Sequence, residues 1–113
     1  MLSTREDHIA PWASTYAATQ LFRSKTTFVL SGSGHIAGVV NPAGSSKYGY
    51  WLNDKLPADP KDWMETAEHH EGSWWPHWTA WILAKSGTKV KARVPGKGKL
   101  KALEDAPGRY VRD

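Results

Sequence analysis

Apolar positions recur at helical spacing in some stretches of this chain and run together in others. Residues 1–8 are mostly polar and read as a loop. From Pro11 to about Phe22 alanine is frequent, and Ala13, Ala17 and Leu21 share one face at four-residue spacing, widened by Trp12 and Tyr16. Pro11 suits the start of this predicted helix, because the first turn does not use the N–H that proline lacks. Arg23-Ser24-Lys25 breaks the pattern. Thr26-Thr27-Phe28-Val29-Leu30 is a β-branched and apolar run, the composition of a strand buried on both faces in a parallel sheet. It leads into Ser31-Gly32-Ser33-Gly34-His35, whose glycines suit a sharp loop at the strand's C-terminal end. Ile36 to Val40 predicts a short helix, ended by Asn41-Pro42.

Ala43 to Asp54 shows no period and reads as irregular, with aromatics at Tyr48, Tyr50 and Trp51. Asp59-Pro60-Lys61-Asp62 predicts a helix start: Asp59 as N-cap, Pro60 in the first helical position, Asp62 in the favourable first turn. That helix is expected to reach about Glu68. Ser73 can cap the next helix, with Pro76 inside its first turn and Gly87 ending it. Trp74, Trp78 and Trp81 recur there at i, i+4 and i+7, beside Trp75 and Ile82. The chain has no internal repeat. One clear strand cannot make a sheet, so the pattern predicts an α/β fold with an incomplete sheet, part of something larger.

Composition narrows the function. The chain has 113 residues, 40% apolar and 23% charged, as in globular proteins. It has no cysteine, which excludes a disulfide scaffold, a thiolate zinc site and a cysteine nucleophile within it. No apolar run approaches the roughly 18 residues of a membrane helix, and residues 1–7 lack the apolar core of a signal peptide, so a cytoplasmic location is expected. The net charge of +4 is unevenly spread. Lys85, Lys89, Lys91, Arg93, Lys97, Lys99 and Lys101 form a run with no acidic residue, whereas Asp54 to Glu71 holds six acidic residues against two lysines. Gly87, Pro95, Gly96 and Gly98 interrupt the basic run, which reads as a solvated, extended tail rather than a nucleic-acid site.

Asp7 and His35 are the candidate catalytic residues. Asp7 precedes a predicted helix and His35 follows the predicted strand, 28 residues later. In an α/β-hydrolase the acid and the histidine sit in this order, on loops at the C-terminal ends of strands. A histidine there takes a proton from a nucleophile while a carboxylate orients the base or handles a second proton. Spacing alone leaves a purely structural role open for both.

His69 and His70, among Glu65, Glu68 and Glu71, read as a solvated helix end. Neighbouring helical side chains point about 100° apart, and only Glu65 and His69 share an i, i+4 face, so no metal site is expected. His77 reads as a helix-surface residue and His8 as loop packing. The tryptophan cluster could pack in a core, stack on bases or sugars, or bind an apolar ligand. Each indole buries on the order of 150–250 Å², which favours packing. From Ser73 to Leu83 there is no lysine or arginine to make a base-stacking platform.

Longer motifs add a resemblance. Arg5-Glu6-Asp7-His8-Ile9-Ala10-Pro11-Trp12 and Gly32-Ser33-Gly34-His35-Ile36-Ala37-Gly38-Val39-Val40-Asn41-Pro42 resemble the C-terminal catalytic region of polyhydroxyalkanoate synthases. Leu56-Pro57-Ala58-Asp59-Pro60 followed by Trp63, then Gly72-Ser73-Trp74-Trp75-Pro76-His77-Trp78, and the ending Ala106-Pro107-Gly108-Arg109-Tyr110-Val111 extend the match. The ordered motifs are most similar to the class I enzymes, the poly(3-hydroxybutyrate) polymerases, and are weakest from about Thr88 to Lys101.

The resemblance implies the C-terminal part of an α/β-hydrolase-type fold. Residues 1–87 would belong to the catalytic domain and carry the Asp and His loops, and 88–113 would be a basic, largely extended segment of the same domain. It implies an acyltransferase that polymerises (R)-3-hydroxyacyl-CoA into polyester and releases CoA. The family's catalytic set is a cysteine, an aspartate and a histidine. The aspartate falls on Asp7 and the histidine on His35. His35 would activate the cysteine thiol, and Asp7 would assist deprotonation of the substrate's 3-hydroxyl. No cofactor and no metal are implied.

The family's cysteine lies far upstream of the matched region. This chain has neither a cysteine nor a Gly-x-Ser/Cys-x-Gly elbow, so it is expected to be inactive alone. Implied partners are an N-terminal synthase portion carrying the cysteine and a second copy in a homodimer. Nucleic acid is not expected as a partner, and the polyester granule surface is an implied location. The rival expectation is a non-catalytic binding module, engaging a granule or anionic surface through the tryptophan helix and basic tail.

Overall fold

Four short strands pair side by side in chain order into one mixed sheet. The computed structural model describes residues 1–112. The elements are β1 (Leu2–Thr4), α1 (Trp12–Ala17), a 3-10 turn (Ala18–Gln20), β2 (Val29–Ser31), α2 (Ala37–Val40), β3 (Tyr50–Leu52), α3 (Pro60–Glu65), β4 (Glu68–His70) and α4 (Trp75–Leu83). β1 and β2 run parallel, with Thr4 opposite Ser31. β3 is antiparallel to β2, and β4 to β3. The chain is therefore α/β with its own sheet.

Three of these strands correct the sequence reading. Residues 1–8 are not all loop: Leu2–Thr4 is β1, and the hydroxyl residues Ser3 and Thr4 are buried in it. Backbone bonds from Val29 N–H to Met1 O (3.0 Å) and from Arg5 N–H to Ser31 O (2.8 Å) extend the pairing at both ends. The irregular stretch from 43 to 54 contains β3. Glu68–His70 is β4 rather than a helix end, because the preceding helix stops at Glu65. The predicted strand at Thr26–Leu30 lies slightly later, at Val29–Ser31. It is buried throughout and has a parallel neighbour, as its composition requires.

Alternation along the chain entering β2 sends Phe28 and Leu30 to one side of the sheet and Val29 to the other. The first side holds a cluster of Tyr16, Phe28, Leu30 and Trp63, all completely buried. Its rings meet edge to face, Tyr16 and Phe28 at 5.0 Å and Phe28 and Trp63 at 5.1 Å, a favoured arrangement for aromatic quadrupoles. On the second side Val29, Tyr50 and Trp74 pack together. α1 and α3 thus cover one face, and the start of α4 covers the other.

α3 forms as its residues predict. The Asp59 side chain accepts the Lys61 N–H at 2.7 Å, Pro60 opens the helix and Asp62 lies in the first turn. α1 is shorter than expected and turned. Its inward residues are Trp12, Tyr16 and Thr19, whereas Ala13, Ala17 and Leu21 are exposed. The large rings bury far more apolar area than the alanines, so the helix turns them inward. Trp74, immediately before α4, is buried, whereas Trp78 and Trp81 within the helix are exposed, so the packing expected of the cluster holds at its start only. Residues 88–112 contain neither helix nor strand and are exposed almost throughout. Among the described residues no helix is long and apolar enough to cross a membrane.

α2 lies close against the β1–β2 end of the sheet because Gly38 has no side chain. A Cβ there would fall 2.1 Å from the Gly32 carbonyl oxygen and 2.9 Å from Thr4 Cγ2. Gly38→Ala is expected to displace α2 and lower stability by about 1–3 kcal/mol. Urea unfolding followed by circular dichroism measures this, and an unchanged midpoint would show that the contact relaxes freely.

Candidate active site

Parallel pairing makes β1 and β2 end at the same edge, and each is followed by a loop. Asp7 lies three residues beyond Thr4, and His35 four beyond Ser31, the residue opposite Thr4. The loops are tied by their backbones: Glu6 N–H donates to Ser33 O at 3.0 Å, and Asp7 N–H turns back to Thr4 O at 3.3 Å. Ser33 adopts φ +71°, a left-handed conformation that costs a non-glycine residue about 1 kcal/mol or more. That turn lets its carbonyl reach Glu6.

The result is direct contact between the two candidates. His35 Nδ1 lies 2.7 Å from Asp7 Oδ2. The other oxygen, Asp7 Oδ1, accepts the backbone N–H of Ile9 at 2.8 Å and of Ala10 at 2.9 Å. Three donors therefore converge on one carboxylate. The Ala10 N–H foremost, then His35 and Ile9, hold its pKa down at about 2, against an ordinary 3.8 and despite some desolvation. Asp7 is thus anionic at neutral pH and fixes the imidazole with its Nδ1–H pointing inward. The Asp7 side chain is nearly buried, whereas that of His35 is 46% exposed. Nε2 has no protein partner among the described residues. In this tautomer it carries the lone pair, so the arrangement can accept a proton from a group presented at the exposed side.

The depressed pKa has a consequence for stability. A carboxyl whose pKa is lower in the folded chain stabilises it fully above the unfolded value, and loses that contribution as pH falls through the folded value. Acid unfolding is expected to contain an Asp7 component between pH 3.8 and about 2. Asp7→Asn should remove it from the pH dependence of unfolding; an unchanged acid limb would refute the assignment.

The other sequence candidates do not join this pair. His69 and His70 are neighbours on a strand, where side chains alternate in direction. His69 packs on Trp51 at 4.7 Å, and His70 stacks on Tyr50 at 5.0 Å. No group of three or more His, Asp or Glu side chains among the described residues is placed to hold a metal ion. His77 is half-buried rather than a plain surface residue, with its pKa lowered by burial and by nearby His70. His8 is exposed and not packed in its loop. A cavity of about 400 Å³ is lined by Met1, Leu2, Trp74, Trp78 and Trp81 among others and does not include Asp7 or His35. Ser33 was missed as a site residue. Its position between two glycines, immediately before the histidine turn, is the signal that could have found it.

Comparison with known proteins agrees with the motifs. The chain is 50% identical over 110 residues to the poly(3-hydroxyalkanoate) polymerase subunit PhaC of Cupriavidus necator, covering 96% of this chain and 19% of that protein. It is 51% identical over 111 residues to the subunit of the same name from Rhizobium meliloti, covering 98% and 18%. It is 47% identical over 112 residues to a poly(3-hydroxyalkanoate) polymerase of Methylorubrum extorquens, again covering 98% and 18%. The chain is a homologue of the poly(3-hydroxyalkanoate) polymerases. It spans about a fifth of the length of these curated relatives. No family model matches it. In this polymerase homologue the two long motifs on which the resemblance rests, one around Asp7 and one around His35, are the two loops that meet.

Proposed function

We propose that this chain is the proton-handling, C-terminal part of a class I polyhydroxyalkanoate synthase with an α/β-hydrolase-type catalytic domain. Residues 1–87 supply the catalytic-domain portion and 88–113 its extended basic segment. The carrying observation is the 2.7 Å contact between Asp7 and His35 on loops leaving two parallel strands. Homology to polymerases over nearly the whole chain supports the choice of chemistry.

In this reading His35 Nε2 takes the proton from a cysteine thiol on a segment outside this chain. The thiolate attacks the thioester of (R)-3-hydroxyacyl-CoA, the carbon–sulfur bond to CoA breaks, and the imidazolium returns its proton to the departing CoA thiolate. The acyl group is then held as a cysteine thioester. The 3-hydroxyl of an incoming unit gives its proton to His35 and attacks the acyl–cysteine thioester; the ester bond of the polymer forms as the carbon–sulfur bond breaks, and the departing cysteine thiolate takes the proton back from the imidazolium. Asp7 is anionic and has both oxygens engaged, so it assists this second deprotonation through the imidazole, by stabilising the imidazolium.

A cysteine-bearing N-terminal portion is the partner the reading requires. Among the described residues β1 is paired on one side only, with β2. Its free edge can take a further parallel strand, which would extend the sheet and cover apolar surface. The same reading places the assembled enzyme in the cytoplasm at the polyester granule and leaves room for a homodimer. A second reading, a non-catalytic module adsorbing to a granule or anionic surface, draws on exposed Trp78 and Trp81 and on the basic tail. Adsorption would not need Asp7.

Coenzyme A release from (R)-3-hydroxybutyryl-CoA tests the proposal. The purified chain alone should release none above buffer, because it has no cysteine. Co-expressed with a cysteine-bearing N-terminal segment of a related synthase, it should yield polymer. Turnover by the chain alone, or no polymer with both pieces soluble, would overturn the reading.

A further inference from the structure

The motif Gly72-Ser73-Trp74-Trp75 has no role in the chemistry proposed above, yet it touches the helix that follows His35. α2 begins two residues after His35 and is a single turn. A helix this short cannot persist on its own hydrogen bonds. Its terminal carbonyls lack intrahelical donors, and Pro42 offers no N–H.

Side chains from two other elements fill those positions. From β2, Ser31 Oγ donates to the Gly38 carbonyl at 2.9 Å. From the start of α4, the indole N–H groups of Trp74 and Trp75 both donate to the Val39 carbonyl, at 3.0 and 2.9 Å. Ser73 Oγ donates to the Asn41 carbonyl at 2.7 Å and accepts the Trp75 N–H at 3.2 Å. Both lone pairs of one carbonyl are thus used by adjacent tryptophans whose rings lie 4.5 Å apart. Gly72 admits the approach: at φ +80°, a Cβ would fall 2.7 Å from the Ser45 carbonyl oxygen. Ser73 and Trp74 are themselves buried.

We infer that Ser73, Trp74 and Trp75 are positioning residues for His35. They form a C-cap, supplied by α4, that fixes α2 and so holds the imidazole against Asp7. The inference rests on the reading of Asp7 and His35 as the proton-handling pair. It assigns a role to a tryptophan motif that spacing alone offers to a core or a ligand. The cap acts only through backbone carbonyls, so what it requires of these side chains is an N–H or O–H at a fixed place.

The test follows the His35 Nδ1 proton by NMR in the 113-residue chain, as its rate of exchange with water. Trp74→Phe and Trp75→Phe each keep a ring and leave one donor on Val39; the double variant leaves none. Each single change is expected to speed exchange a few-fold, and the double change about tenfold or more, the loss expected when a satisfied carbonyl is stripped of its partners. Ser73→Ala should act similarly, and Ser73→Thr, which keeps the hydroxyl, should restore the slow rate.

Leu56→Ala, in the opposite cluster, is the control for general loosening. It should leave the His35 proton unchanged while lowering stability. A wild-type exchange rate in the folded double variant would overturn the inference, as would an equal effect from Leu56→Ala. If the double variant does not fold, Ser73→Ala and the single variants decide by the same criterion. This readout needs no polymer, so failure of reconstituted synthesis and failure of the cap are separate results.

Discussion

Replacing Asp7 by asparagine is expected to lower the kcat/KM of the reconstituted polymerase by about 10²–10⁴-fold, the range of a positioned acid–base group. The change is nearly isosteric, so Ile9 and Ala10 can still donate to the Oδ1 position. What changes is the face toward His35. A carboxylate oxygen 2.7 Å from Nδ1 requires a proton on that nitrogen and leaves Nε2 as the base. An amide NH₂ in its place offers a proton instead, which moves the ring proton to Nε2 and removes the lone pair from the exposed side. The anion that would stabilise the imidazolium is lost as well. His35→Ala should be at least as damaging, and the two losses should not add, because the residues act as one unit. Initial rates of CoA release from (R)-3-hydroxybutyryl-CoA, with soluble assembly confirmed for each variant, measure the effect. An Asp7→Asn enzyme within threefold of the parent would remove Asp7 from the mechanism. The non-catalytic module makes the opposite forecast, since surface adsorption would be indifferent to the change.

Why this pair could be named but not joined from sequence is a matter of one strand. The motifs around Asp7 and His35 are long and legible, and the glycine loop after β2 declares itself. Contact between them depends on Thr4 lying opposite Ser31, and that register exists only if Leu2-Ser3-Thr4 is a strand. Three residues with two hydroxyls show neither alternation nor an apolar run, so hydropathy has nothing to read. Their burial is set by the neighbouring strand and by Gly38, which allows α2 to approach Thr4. β4 hides for a related reason. Glu68-His69-His70 is polar, and its place in the sheet depends on two histidine rings finding Trp51 and Tyr50. α3 was readable because its determinants are local: the Asp59 cap, Pro60 and the Asp62 charge act within one turn. In α1 the helix was legible and its rotation was not, since periodicity favours the alanine stripe whereas packing rewards the larger rings. The tryptophan cap on α2 is fully non-local. Trp75 and Val39 are 36 residues apart, and no period relates them.

Trp63→Ala is expected to be the most destabilising single change, about 3–5 kcal/mol. Trp63 is completely buried on α3, between Phe28, just before β2, and Tyr16 and Trp12 from α1. Its removal empties the middle of the cluster, and the surrounding rings are held by separate elements that cannot close together without moving the sheet. Total stabilities of small domains are about 5–15 kcal/mol, so the variant should be largely unfolded under mild denaturant. Trp63→Phe separates the contributions. The indole Nε1 is buried without a hydrogen-bond partner among the described residues, so phenylalanine removes an unpaired donor along with the volume. Its cost should be clearly smaller than that of alanine, by more than half. Urea midpoints by circular dichroism for the three chains provide the comparison. A Trp63→Ala shift below about 1 kcal/mol would mean that the cluster collapses around the gap. The consequence for chemistry follows from position: Phe28 and Leu30 anchor β2, and β2 ends at Ser31, four residues before His35. Loss of this central ring should therefore loosen the histidine loop from beneath, which truncation of Leu56, packed only against the outside of the cluster, should not, while the contacts made by Asp7 with Ile9 and Ala10 stay in place.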